Sequence, residues 1–195
     1  MTMNKENKRI ILASASPRRA EIFAKHGMDC SVMPSGADES IPIDLTPAQT
    51  VMYLSLVKAM DVMSSVSGSA PDDTIIVASD TIVEKDGEIL GKPANREDAY
   101  AMIKKLSGTV HRVLTGVCIV SLLTGEKNCF YDSSDVYFTD IPEDELLEYI
   151  DTPEPYDKAG AYAIQETFSK YVTRYTGDIE NIIGFPFAKF SEELK

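Results

Sequence analysis

The strongest constraint on this chain is the stretch Ile10-Ile11-Leu12-Ala13-Ser14-Ala15-Ser16-Pro17-Arg18-Arg19. A short apolar run breaks at alternating small residues and meets Ser-Pro, the signature of a helix start with a serine cap and proline at the first helical position. A buried strand that feeds a helix directly is the building unit of an α/β layer. Arg18 and Arg19 then fall in the first helical turn, where the helix dipole disfavours cations. Two arginines beside unpaired backbone N–H groups make sense if an anion shares the place. Otherwise both reach solvent or pair with surface carboxylates.

The remaining segments extend this unit into a mixed sheet. Residues 9–13 read as a strand, 17–26 as a helix stopped by Gly27, and 28–33 as a second strand. A loop over 34–45 carries Asp38 and Glu39. Thr46, Pro47 and Gln49 form a capping box opening a helix with an apolar stripe at Met52, Leu56, Ala59 and Met63, and Lys58 lies off that stripe. Residues 64–73 read as a surface loop. The β-branched run 74–78 predicts a strand that ends at Ser79-Asp80-Thr81, followed by a hairpin over 82–90 turning at Asp86-Gly87. Asn95 caps a helix with core residues Ala99, Met102, Ile103 and Leu106. Long β segments cover 109–123 and 127–138, and Pro142 opens a helix through Ile150. Short strands are expected at 161–165 and 168–174, and a helix at the end. Strand–helix units alternating with long hairpins call for a mixed sheet with flanking helices in one domain spanning 1–195.

Composition narrows the function. The chain carries 31 acidic and 19 basic residues, a net charge of −12. That excludes a polymeric nucleic-acid partner, which needs a broad basic surface, but allows a small anion in one basic pocket. Surplus carboxylates suit a divalent cation. The three cysteines, Cys30, Cys118 and Cys129, form no CxxC and read as buried reduced thiols. Residues 1–9 are polar and the apolar run behind them has four residues, too short for a signal-peptide core or a membrane span. The expectation is a soluble, cytoplasmic protein with no membrane partner.

Several catalytic devices are missing. Gly87 to Pro93 imitates a phosphate-binding loop but has three residues between its glycines and no terminal Ser/Thr. With only His26 and His111, neither HExxH nor a serine–histidine pair is available. What remains is charge at element ends. Asp80, directly after a buried strand, suits a metal or the activation of water, or it is a turn aspartate. Lys92 and Lys158 are phosphate contacts or solvated loop lysines, and Gln165 reads a base edge or caps backbone. Together these suggest phosphoryl-ester or anhydride chemistry, which needs positioning and charge neutralisation rather than a protein nucleophile.

The motifs themselves resemble a known family. Leu12 through Arg19 is similar to the N-terminal signature of the Maf nucleotide pyrophosphatases. The likeness continues through Lys58-Ala59, Ser79-Asp80-Thr81, Gly91-Lys92-Pro93, Leu106-Ser107-Gly108, Thr115-Gly116-Val117, the run Glu154 to Tyr162, Ile164-Gln165 and Gly184-Phe185-Pro186. The resemblance implies an elongated mixed α/β sheet in two lobes with the nucleotide in a cleft, often as a homodimer. It implies hydrolysis of nucleoside triphosphates to monophosphate and pyrophosphate with magnesium or manganese. Asp80 takes the role of proton acceptor, and Ser14, Arg18, Arg19, Lys58 and Lys92 that of phosphate contacts. Glu39 matches an acidic position and, with Asp80, is the candidate metal ligand. Arg18, Thr81 and Gln165 match the branch acting on dTTP and UTP rather than 7-methyl-GTP, with modified pyrimidine nucleotides as further candidate substrates. The departure from Gly-Ala-Asp-Thr to Ala78-Ser79-Asp80-Thr81 keeps a small residue before the aspartate. A non-catalytic regulator of septum formation that senses a nucleotide is the rival reading.

Overall fold

A computed structural model describes residues 9–194. The polar N-terminal segment, through residue 8, lies outside the described residues. Seven strands and six α-helices follow in the order β1 (Arg9–Leu12), α1 (Pro17–Lys25), β2 (Ser31–Val32), α2 (Pro47–Val66), β3 (Thr74–Lys85), β4 (Glu88–Leu90), α3 (Arg96–Leu106), β5 (Val110–Ser121), β6 (Lys127–Phe138), α4 (Glu143–Ile150), β7 (Val172–Thr176), α5 (Ile179–Ile183) and α6 (Phe187–Glu193). The strands form one sheet in the order β2-β1-β3-β5-β6-β7, with β4 paired to β3. β1 runs parallel to both β2 and β3, whereas β3–β4 and β6–β7 are antiparallel. The expected mixed sheet with flanking helices is therefore present. None of the described helices is long and apolar enough to cross a membrane.

Several local signals act as read. Thr46 Oγ1 accepts from Gln49 N at 3.3 Å while Gln49 Oε1 accepts from Thr46 N at 3.0 Å, a complete capping box. Asn95 Oδ1 accepts from Asp98 N at 2.9 Å at the start of α3. The β3–β4 hairpin turns with φ of 54° at Asp86 and 84° at Gly87, the left-handed pair that a two-residue turn requires.

Other elements differ from expectation. The strand expected over 28–33 is reduced to the two exposed residues of β2 at the sheet edge. β3 does not end before Ser79; it continues unbroken for 12 residues, because Thr81-Ile82-Val83 sustain the β-branched run and Val83 pairs with Leu90. The strand expected at 161–165 is absent: 3-10 turns occupy Glu154–Asp157 and Ala159–Ala161, with Gly160 at φ 66°. The one expected at 168–174 begins instead as a 3-10 turn, Thr167–Tyr171, and only then extends as β7.

The residues divide into two compact units, the first comprising 9–80, 115–132 and 184–194, the second 81–114 and 133–183. In the first, α2 packs on Ala13, Ile76, Ala78, Cys118 and Val120 through Ala59, Val62 and Val66. The buried positions of α2 include Val51, Leu54, Ala59, Val62 and Val66; Met52, Leu56 and Met63 are only partly buried. The helix is apolar enough for two stripes, and tertiary contact selects between them. At Gly116, an added Cβ would lie 2.3 Å from the Val51 carbonyl, so β5 touches the α2 backbone there and turns the Val51 face inward. Phe23, Phe185, Phe187 and Phe190 form a separate aromatic cluster joining α1 to α6. In the second unit, α3 and α4 close over Val83, Val113, Val136 and Phe138.

Candidate active site

The first unit gathers most of the charged candidates. Behind β1, Ser14 is buried, and its Oγ accepts from Ser16 N at 3.2 Å and from Arg19 Nη1 at 2.9 Å. Ser16 occupies the N-cap of α1 in extended conformation, but its side chain makes no capping bond. The expected serine cap is thus not formed; the Ser14 hydroxyl, two residues back, takes the N–H of Ser16 itself rather than one of the first helical turn. The α1 start, with Pro17 at its first position, is left without a side-chain cap among the described residues, as a helix end that receives an anion would be.

Arg19 Nε donates to the Gly184 carbonyl at 2.9 Å, and the Ser79 hydroxyl donates to the same oxygen at 3.4 Å. Gly184 holds φ at 127°, a conformation open to glycine, which aims this carbonyl at the two donors. Arg19 is therefore neither simply solvated nor committed wholly to a phosphate: of its five donors, Nε braces the Gly184 carbonyl and one on Nη1 braces Ser14 Oγ. Burial pushes its guanidinium below the ordinary value. Asp80 opposes that shift most strongly, Arg18 adds to it, and Glu39 opposes it. Arg18, Arg19, Asp80 and Glu39 thus share one electrostatic neighbourhood.

Asp80 lies within β3, not after it, and is 9% exposed. Lys58, on the partly buried side of α2, brings Nζ to 2.6 Å from Asp80 Oδ1 and 3.2 Å from Glu39 Oε2. A buried carboxylate needs such a partner to remain charged. The loop bearing Glu39 is fastened to α2 by Asp61, whose Oδ2 accepts from Ser35 Oγ at 2.8 Å and from Gly36 N at 2.9 Å. Asp61 escaped the sequence reading, since an aspartate on a helix surface carries no chemical signature alone; Gly184 entered only as part of the Gly184-Phe185-Pro186 block, with no role given to its carbonyl.

A divalent ion fits this arrangement. No group of three or more Asp, Glu, His or Cys able to hold a metal occurs among the described residues. Asp80 and Glu39 nevertheless meet on a common cation, the Lys58 ammonium, and magnesium is ordinarily held by one or two carboxylates together with substrate phosphates.

The other candidates belong to the second unit. Thr81 is partly buried on β3, Lys92 is exposed on the coil after β4, and Gln165 is exposed in the turn before Thr167. Lys158 is not a solvated loop lysine: it is 6% exposed, with Nζ 2.8 Å from Asp157 Oδ1 and 3.0 Å from Glu166 Oε2. It thereby pins the turn next to Gln165. Gly160 N donates to the Gly91 carbonyl at 3.0 Å, which ties the Lys158 segment to the coil carrying Lys92.

Residues 9–195 match a family described as Maf-like protein. The chain is 42% identical to the dTTP/UTP pyrophosphatase of Caldicellulosiruptor saccharolyticus, over 96% of this chain and 94% of that protein. Identity is 41% to the protein of the same name from Lachnoclostridium phytofermentans, over 95% and 93% respectively. It is 37% to that from Pelotomaculum thermopropionicum, over 96% of each.

Proposed function

The chain belongs to the Maf-like family, and we propose that it hydrolyses dTTP and UTP, together with modified pyrimidine nucleotides, to the monophosphate and pyrophosphate. The observation that carries this reading is the convergence of Lys58, Asp80 and Glu39 in the electrostatic neighbourhood of Arg18 and Arg19. An anionic substrate and a charged water-activating group both need such a setting.

In this reading the α1 start and Arg18 hold the triphosphate, while Arg19 and Ser14 set the shape of that turn. Asp80 takes a proton from water as its oxygen bonds to the α-phosphorus; the bridging P–O bond breaks, and pyrophosphate leaves with the electron pair. Lys58 holds Asp80 Oδ1 and so sets the rotation of the carboxylate. Lys92 is assigned the charge of the leaving group. Thr81 and Gln165 are assigned the pyrimidine edge, where an amide facing the wrong base would lose its hydrogen bonds. Asp80 and Glu39 are the residues that would hold magnesium or manganese, and the ion supplies charge neutralisation on the phosphates. The free cysteines support a reducing, cytoplasmic setting.

The test is pyrophosphate release from a panel of canonical and modified nucleoside triphosphates with magnesium. Release from dTTP and UTP is expected, and Asp80→Asn should lower kcat by about 10²–10⁴-fold while nucleotide binding persists. Binding without release from any nucleotide would favour a nucleotide-sensing regulator. Release from purine nucleotides alone would overturn the roles of Thr81 and Gln165.

A further inference from the structure

Cys118 and Cys129 are far from a CxxC spacing, yet the fold sets them side by side. Ser121 N donates to the Glu126 carbonyl at the β5–β6 turn. Counting inward from that bond places Cys118 opposite Cys129, at a position where the paired residues exchange no backbone hydrogen bonds. Such pairs have Cα atoms about 4.5 Å apart, inside the range that a disulfide spans. The two Sγ atoms lie 2.9 Å apart, against about 2.05 Å for a bonded pair. Both thiols are free. Cys118 is fully buried under α2 among Ala59, Val62 and Val120, whereas Cys129 is partly exposed at the border of that cluster.

We propose that Cys118 and Cys129 form a reversible dithiol site, oxidised by hydroperoxides to a cross-strand disulfide within the chain. The Cys129 thiolate attacks the hydroperoxide; the O–O bond breaks, a sulfenic acid forms on Cys129, and the alcohol or water derived from the peroxide departs. Cys118 sulfur then attacks Cys129 sulfur. The S–O bond breaks, and hydroxide leaves as water with the Cys118 proton. Two thiols and one hydroperoxide give one disulfide, one alcohol (water, for hydrogen peroxide) and one water.

The order of attack follows from exposure and charge. Cys129 is the less buried of the two residues. The hydrogen bond between the two thiols holds the Cys129 pKa below the ordinary value, and the nearby Lys127 adds to that, while burial works against it. The same thiol contact, and then burial, hold Cys118 protonated until it is needed. Cys30 is the internal control, because burial and then Asp29 push its thiol up and it takes no part in the Cys118–Cys129 contact. In a reducing compartment, such a pair serves as a transient redox site rather than a structural staple.

The experiment treats the purified full-length protein with hydrogen peroxide, quenches, unfolds and counts thiols. The expected count falls from three to one, and a dithiol reductant restores three. Trypsin cuts after Lys127, between the two cysteines, so the disulfide must appear as a linked pair of peptides, 113–127 joined to 128–158. In Cys118→Ser, a dimedone adduct should accumulate on Cys129; the linked peptide in the wild-type chain tests the same chemistry without relying on that variant. A count that stays at three, a disulfide involving Cys30, or Cys129 carried to the sulfinic acid while Cys118 remains a thiol would each overturn the proposal.

Discussion

Replacing His111 by phenylalanine should flatten the acid side of the stability curve. His111 is 2% exposed, packs edge-on against Phe138 and Tyr162, and sets Nε2 2.6 Å from the Tyr162 hydroxyl. Its Nδ1 has no hydrogen-bond partner among the described residues. Burial, and then the charge of Lys85, push its pKa from the ordinary 6.5 down to about 3. The folded state thus refuses a proton that the unfolded state accepts below pH 6.5. A depressed base in the fold means that stability is fully present above 6.5 and is lost as pH falls towards 3. At about 1.4 kcal/mol per pH unit, going from pH 7 to pH 4.5 costs the wild type about 2.5 kcal/mol through this group alone. The phenylalanine variant keeps an aromatic ring in the cluster but leaves the Tyr162 hydroxyl without its partner. Burial raises the Tyr162 phenol, so it stays neutral throughout this window and that penalty is independent of pH. Urea unfolding of both proteins at the two pH values gives the difference. The wild type should lose about 2.5 kcal/mol more than the variant. Parallel losses would show that His111 is protonated in the fold, and the account of its burial would be wrong.

Further expectations follow from single contacts. Gly116→Ala would drive a methyl group to 2.3 Å from the Val51 backbone, where no side chain can yield, and should cost about 3 kcal/mol in urea unfolding; a variant of unchanged midpoint would refute the β5–α2 contact. Arg19→Lys cannot span Ser14 and Gly184 with one ammonium, so thermal unfolding should show about 3 kcal/mol of lost stability as well as weaker activity. Arg18→Ala should raise KM for dTTP and UTP and also lower kcat; an unchanged kcat/KM would return Arg18 to the status of a surface charge. Lys158→Met removes the ion pair that holds Glu166 beside Gln165 and should raise KM for pyrimidine nucleotides about tenfold with a smaller change in kcat. Equal losses of kcat and kcat/KM would argue instead for a contact made only in the transition state.

Local sequence was sufficient wherever one short segment carries its own instruction. Thr46 and Gln49, Asn95 and Asp98, and Asp86-Gly87 act through bonds or dihedrals that span no more than four residues, so their roles are readable without the rest of the chain. The charged candidates were legible as residue types, and Lys58, Asp80 and Glu39 do meet, although only the family resemblance could nominate that combination in advance. Positions within elements were less secure. Asp80 was expected just beyond a strand and stands inside one, because β4 pairing extends β3.

The tertiary structure alone decided what depends on distant partners. Arg19 and Gly184 are 165 residues apart, and their bond turns one of the two arginines in the first helical turn into a brace. Lys158 looked like any loop lysine until Asp157 and Glu166 closed around it. The face of α2 was settled by the absence of a side chain at Gly116. The same holds for Cys118 and Cys129, whose 11-residue separation means nothing until a hairpin register puts the two sulfurs 2.9 Å apart. Caps and turns are short-range and therefore written locally. Burial, pairing of charges and the choice of helix face depend on what the folded chain brings from elsewhere, and so belong to the structure.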